Sequence, residues 1–64
     1  MKISLKAGRV NAGLSLEEAA EKLNISANVL RRLEEDNTYL KRSDPLLIER
    51  ICKLYGITAD NISV

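Results

Sequence analysis

Residues 15–34 have the sequence Ser-Leu-Glu-Glu-Ala-Ala-Glu-Lys-Leu-Asn-Ile-Ser-Ala-Asn-Val-Leu-Arg-Arg-Leu-Glu, and this stretch decides the fold. It predicts two short helices joined by a tight turn. Ser15 is suited to cap the first helix, with Glu18 completing a capping box, and Ser26 is suited to cap the second. Asn24 stands at the turn, where a left-handed residue ends a helix. Two helices joined in this way can place the second one in the major groove of DNA.

The polar residues of the second helix lie away from its apolar face. Apolar residues recur at helical spacing in both helices. They are Leu16, Ala19, Ala20 and Leu23 in the first helix, and Val29, Leu30 and Leu33 in the second. Asn28, Arg31 and Glu35 point the opposite way. Ala27 and Arg32 lie on the flanks. This pattern leaves two interpretations open, a DNA-binding helix pair and a plain helical hairpin in a generic bundle.

The segments on either side of this pair predict further helices. Ser4 is suited to cap a first helix, and Gly13 to end it in a left-handed conformation. Residues 36–43 lose the helical periodicity and are predicted to form a loop.

The C-terminal part of the sequence predicts two more helices. Asp44 and Pro45 are typical of the cap and first turn of a helix, and Gly56 ends that helix. Thr58 is expected to cap a last short helix over residues 59–62. Residues 1–64 contain no repeat or linker, which predicts a single domain.

Composition favours a small helical protein. A chain of 64 residues buries only about 60% of its unfolded surface, so its core is marginal. Ala, Leu, Ile, Val, Lys, Arg and Glu dominate the sequence, which favours helices. No apolar run approaches the length of a membrane span, and Lys6 and Arg9 interrupt any signal-peptide core. The lone cysteine favours a cytoplasmic location.

The sequence offers little material for catalysis or metal binding. It contains no histidine and one cysteine, Cys52, so neither a disulfide within the chain nor a Cys/His zinc site is expected. Cys52 falls among apolar residues and is predicted to be buried. A catalytic thiol would need a base and an electropositive cleft, which the sequence does not indicate. We therefore expect no enzymatic activity, catalytic residue, metal or cofactor.

The net charge limits non-specific binding to nucleic acids. It is +1 for the whole chain, although residues 1–13 carry +3. Proteins that bind polyanions generally are more basic, because neutralising phosphates supplies most of their affinity. Any binding to nucleic acid should therefore be modest and local.

Several short stretches, in order along the chain, resemble the lambda-repressor-like helix-turn-helix family. This family includes phage repressors, Cro proteins and the xenobiotic-response-element group of bacterial regulators. The matching stretches are Leu5-Lys-Ala-Gly-Arg9, Gly13-Leu-Ser15, Glu18-Ala-Ala20, Leu23-Asn-Ile-Ser26, Leu33-Glu34 and Leu54-Tyr-Gly-Ile57. The resemblance implies an all-α, compact five-helix domain. Helices 2 and 3 would form the helix-turn-helix, with helix 3 in the major groove.

The resemblance also implies particular contacts within the domain and with DNA. Arg9 and Glu34 stand where family members often join helix 1 to helix 3 through an ion pair, although both could be ordinary solvated charges. The residues at base-reading positions are Ala27, Asn28, Arg31 and Arg32, and the alternative is a solvated face. Asparagine can pair with adenine and arginine with guanine.

Phosphate contacts are expected around this reading helix. The start of helix 2, at Ser15 and Leu16, could hold a phosphate through its amides and the helix dipole, and Ser26 begins the reading helix. Lys41 and Arg42 are candidate clamps on the DNA backbone, or else solubilising charges. Leu16 replaces the glutamine that many family members use to grip the backbone, and a leucine side chain has no polar group for that contact.

Two functions are compatible with these features. The first is a sequence-specific regulator of transcription, a small prophage repressor or Cro-like protein of the bacterial cytoplasm. It would bind double-stranded DNA as a homodimer, and no small-molecule effector is evident. The second is a protein-interaction module on the same scaffold, such as an antitoxin or a partner that masks another regulator. The low net charge and the acids Glu34, Glu35 and Asp36 favour this alternative.

Overall fold

The computed structural model describes residues 3–58 and 62–63, and helices dominate this part of the chain. The five helices are α1 (Leu5–Asn11), α2 (Leu16–Leu23), α3 (Ala27–Glu35), α4 (Asn37–Arg42) and α5 (Pro45–Tyr55). The strands β1 (Ile3–Ser4) and β2 (Ile62–Ser63) pair in parallel. The predicted helical fold is therefore confirmed, with five helices among the described residues. None of the described helices is long and apolar enough to cross a membrane.

Serine hydroxyls cap the first three helices. The side chains of Ser4, Ser15 and Ser26 each accept a hydrogen bond from the amide three residues later, at 3.0–3.1 Å. The Glu18 carboxylate also accepts from the Ser15 amide at 3.1 Å, which completes the predicted capping box. Each cap satisfies an amide that has no partner within its own helix. The predicted starts of these helices are confirmed.

The turn between α2 and α3 depends on a left-handed residue. Asn24 has φ 58° and ψ 42°, as its position at the end of α2 predicted. The Ile25 amide donates to the Ala20 carbonyl at 3.0 Å, and the Asn24 amide donates to the Glu21 carbonyl at 3.1 Å. These two bonds form a Schellman motif. The chain therefore turns sharply and starts α3 within a few residues.

The prediction of a loop over residues 36–43 was wrong, because this segment contains α4. The Asp36 carboxylate caps the helix by accepting from the amides of Thr38 and Tyr39 at 3.0 and 3.1 Å. Leu40 is buried and contributes to the core. A helix of six residues is too short to show a clear periodicity, and its stability comes mainly from tertiary packing.

The C-terminal predictions had mixed outcomes. The Asp44 carboxylate accepts from the Leu46 amide at 2.9 Å, and α5 ends at Gly56, where φ is +72°, as predicted. The last helix was expected over residues 59–62, of which 59–61 lie outside the described residues. Ile62 itself pairs with Ile3 in the parallel strands, so the prediction was wrong at that position.

The core combines the predicted apolar faces of α2 and α3 with side chains from α1, α4 and α5. The largest fully buried side chains are Leu5, Leu23, Leu30, Leu33 and Ile51. Ala19 and Ala20 are also buried, and such small side chains allow α2 and α3 to approach closely. Cys52 is buried with a free thiol, as expected. This packing holds α3 by one face and leaves its other face exposed.

Candidate nucleic-acid interface

The exposed face of α3 carries three of the four residues predicted to read bases. Asn28, Arg31 and Arg32 are exposed, whereas Ala27 is half-buried against the core. The opposite face of the helix is held by Leu30 and Leu33. The polar side chains therefore project away from the helical body.

Asn28 and Arg31 contact each other on this surface. The Arg31 Nη2 atom donates a hydrogen bond to the Asn28 Oδ1 atom. Residues three apart on a helix lie on the same side, which allows their side chains to meet. The two side chains therefore form a single polar unit near the start of α3.

The Arg32 side chain points towards α4 instead. Its guanidinium carbon lies 4.3 Å from the centroid of the Tyr39 ring, which is a cation–π distance. Its Nε atom lies 4.0 Å from the Asp36 carboxylate. The structure thus separates Arg32 from Asn28 and Arg31. It also gives Tyr39 of α4 a contact with α3.

Arg9 joins three parts of the chain below this surface. Its Nε and Nη2 atoms donate to the Glu34 carboxylate at 2.8 and 3.2 Å, and its Nη1 atom donates to the Leu14 carbonyl at 3.0 Å. The side chains of Arg9 and Glu34 are only 11% and 5% exposed. The hydrogen bond with Glu34 raises the pKa of Arg9 above its usual value, despite the opposing effect of burial. This network links α1, the connection between α1 and α2, and α3.

A mixed-charge cleft lies beside this network. It is lined by Lys6, Arg9, Leu16, Arg31, Glu34 and Glu35. Leu16 is half-buried and packs against the core. The cleft runs between the start of α2 and the exposed face of α3, and cations and acids both face it.

The start of α2 is not built as an open anion site. The Ser15 amide already donates to the Glu18 carboxylate, and Glu17 also lies in the first turn. Hydrogen bonds with Ser15 lower the pKa of Glu18, which favours its charged carboxylate form. The geometry therefore adds no support for the phosphate contact predicted at Ser15 and Leu16.

The other residues predicted to contact phosphates have different environments. The Ser26 hydroxyl accepts from the Val29 amide and so serves as the α3 cap. Lys41 and Arg42 are exposed in the last turn of α4. Within residues 3–58 and 62–63, no cluster of three or more metal-ligating side chains occurs.

Sequence reasoning did not identify the contact between Arg32, Asp36 and Tyr39. The four-residue spacing of Arg32 and Asp36 was an available signal, because such pairs are neighbours on a helix. The ring contact had no such signal, since residues 36–43 were not expected to be helical.

Comparison with known proteins identifies one family. A family model described as a helix-turn-helix domain matches residues 4–42, about three-fifths of the chain. The matched segment includes α1 to α4, and the match is consistent with the lambda-repressor-like resemblance. No curated protein and no solved structure shows a match.

Proposed function

Because the chain belongs to the helix-turn-helix domain family, which indicates a DNA-binding regulator, we propose that it reads double-stranded DNA with α3. The observation that carries this proposal is the exposed pair Asn28 and Arg31 on a helix anchored by its opposite face. Asparagine and arginine side chains can both hydrogen-bond to base edges in the major groove. In helix-turn-helix proteins, the N-terminal residues of the second helix make these contacts.

The buried ion pair supports this function by setting the orientation of the reading helix. Arg9 ties α1 and the α1–α2 connection to Glu34 near the end of α3. Charged hydrogen bonds of this kind are directional, so they restrict rotation of α3 against the body. Glu35 lies at the far end of α3, where entry by the N-terminus lifts it away from the phosphates.

The sequence resemblance supports a finer proposal. We propose a prophage repressor or Cro-like regulator in the bacterial cytoplasm, which binds as a homodimer to half-sites about one helical turn apart. The net charge of +1 implies few phosphate contacts. The dependence of affinity on salt should then be shallow, because each neutralised phosphate contributes about 0.9 to the logarithmic slope.

A binding experiment with matched variants tests this function. A random-sequence selection, followed by gel shifts over a salt series, would compare the wild type with Asn28→Ala/Arg31→Ala. The control is Lys53→Ala, which removes one exposed cation from α5. We expect the double variant to lose sequence preference and the control to retain it. Unchanged sequence preference in the double variant would refute α3 as the reading helix.

The acidic residues on the surface favour a second candidate function. Glu17, Glu18 and Glu21 are exposed on α2, and Glu35 is exposed on α3. A protein-interaction module, such as an antitoxin or a partner of another regulator, would use such a surface without contacting DNA. Tight capture of a protein, together with no measurable affinity for DNA at low salt, would favour this function over the first.

A further inference from the structure

The contact between Asn28 and Arg31 limits what each residue can read. An asparagine that pairs with adenine uses its oxygen to accept from N6 and its nitrogen to donate to N7. In this structure the Asn28 oxygen already accepts from a guanidinium. A hydrogen bond with a charged donor is stronger than a neutral one, so an adenine amino group is the weaker competitor for this oxygen.

Arg31, in contrast, keeps most of its donors. A guanidinium has five N–H groups in a rigid fork, and the contact with Asn28 uses one of them. Guanine presents two acceptors, O6 and N7, in the major groove, and arginine pairs with both at once. A side chain that is already held loses less rotational freedom on binding than a free one.

The contact with Asn28 also sets the direction in which the Arg31 guanidinium points. Arg31 has a neutral partner one turn before it, Asn28, and an acid one turn after it, Glu35. The structure directs its guanidinium to Asn28, which lies towards the end of α3 that enters the groove. Arg32 is directed to Tyr39 instead, so it does not share this position.

From this geometry we propose that Arg31 reads a guanine in each half-site and that Asn28 is its positioning residue. This inference rests on the proposed DNA binding by α3 and names the base it recognises. Removal of Asn28 would free Arg31 to pair with Glu35, which would draw the guanidinium away from the DNA. The two residues would therefore specify one base pair together.

The test is the base preference of matched variants. After selection of a binding site, affinities would be measured for the site with guanine, with 7-deazaguanine and with adenine at the inferred position. Arg31→Ala should lose about ten- to a hundredfold discrimination there, the range for one bidentate contact. Asn28→Ala should weaken the same preference, and Asn28→Ala/Glu35→Gln should recover part of it.

Asn28→Asp distinguishes positioning from direct reading. Aspartate keeps the acceptor for Arg31 but lacks the amide donor that adenine needs. We expect this variant to retain the guanine preference, even if its added charge lowers the affinity for all sequences. The double variant Asn28→Ala/Arg31→Ala should lose no more of the guanine preference than Arg31→Ala alone.

Each contrary result has a clear meaning. Guanine preference that survives Arg31→Ala, or a separate adenine preference lost only in Asn28→Ala, would overturn this inference and leave DNA binding intact. Failure of the folded wild type to select any sequence would overturn the proposed function itself, and this inference with it. Circular dichroism of each variant would confirm folding, since the substituted positions are exposed.

Discussion

Replacement of Arg9 by alanine should strongly destabilise the fold by breaking the ion pair with Glu34. Glu34 is 5% exposed and receives two hydrogen bonds from Arg9. Arg9→Ala would leave this carboxylate buried without its cation, and the Leu14 carbonyl would lose a donor as well. Breaking a buried ion pair by removing one partner costs about 3–5 kcal/mol.

This cost is large for so small a protein. A chain of 64 residues has a free energy of unfolding on the order of 3–10 kcal/mol. Arg9→Ala should therefore remove a large part of the stability, and it should lower the melting temperature by at least about 12 °C. Urea unfolding followed by circular dichroism at 222 nm would measure the loss.

Two further variants keep this prediction testable if Arg9→Ala does not fold. Arg9→Met/Glu34→Leu replaces both charges with apolar side chains and should be more stable than Arg9→Ala. Arg9→Lys keeps the charge but loses the fork geometry, so its stability should be intermediate. A loss below about 1 kcal/mol in Arg9→Ala, typical of an exposed pair, would refute the argument. The argument would also be refuted if Arg9→Met/Glu34→Leu were no more stable than Arg9→Ala.

Three other substitutions test local features by urea unfolding. Ser15→Ala should cost about 1 kcal/mol because it removes the α2 cap; an unchanged midpoint would contradict this. Asn24→Ala should cost about 1–2 kcal/mol because φ is 58°, whereas Asn24→Gly should not; equal stability of the two variants would count against backbone strain. Burial raises the pKa of Tyr55 to about 12 from 10.0. The wild type should therefore lose stability relative to Tyr55→Phe as the pH rises from 10 to 12, because only the unfolded state ionises readily; parallel pH profiles would exclude this effect.

The local signals in the sequence predicted most of the helix boundaries. Ser15 and Ser26 cap their helices through amides three residues away, and Asn24 ends α2 through its own backbone conformation. These interactions lie within one turn, so they can be read without knowledge of the rest of the fold. The apolar spacing likewise predicted that Leu30 and Leu33 are buried.

The candidate site was only partly predictable from the sequence. The helical period placed Asn28 and Arg31 on the exposed face of α3, where the structure has them. It did not predict that their side chains contact each other, because both have many rotamers on an open surface. The pairing of Arg9 with Glu34 came from the family resemblance, since nothing local connects residues 25 positions apart.

By itself, the sequence determined the capped helices and the face that each one buries, because these depend on residues within a turn or two. Tertiary structure decided that Leu40 of the short helix α4 packs into the core, that Ile62 pairs with Ile3 and that the Arg32 guanidinium lies over the Tyr39 ring. Each of these features depends on contacts between separate elements. Such contacts exist only once the helices have packed, so local patterns along the chain cannot predict them.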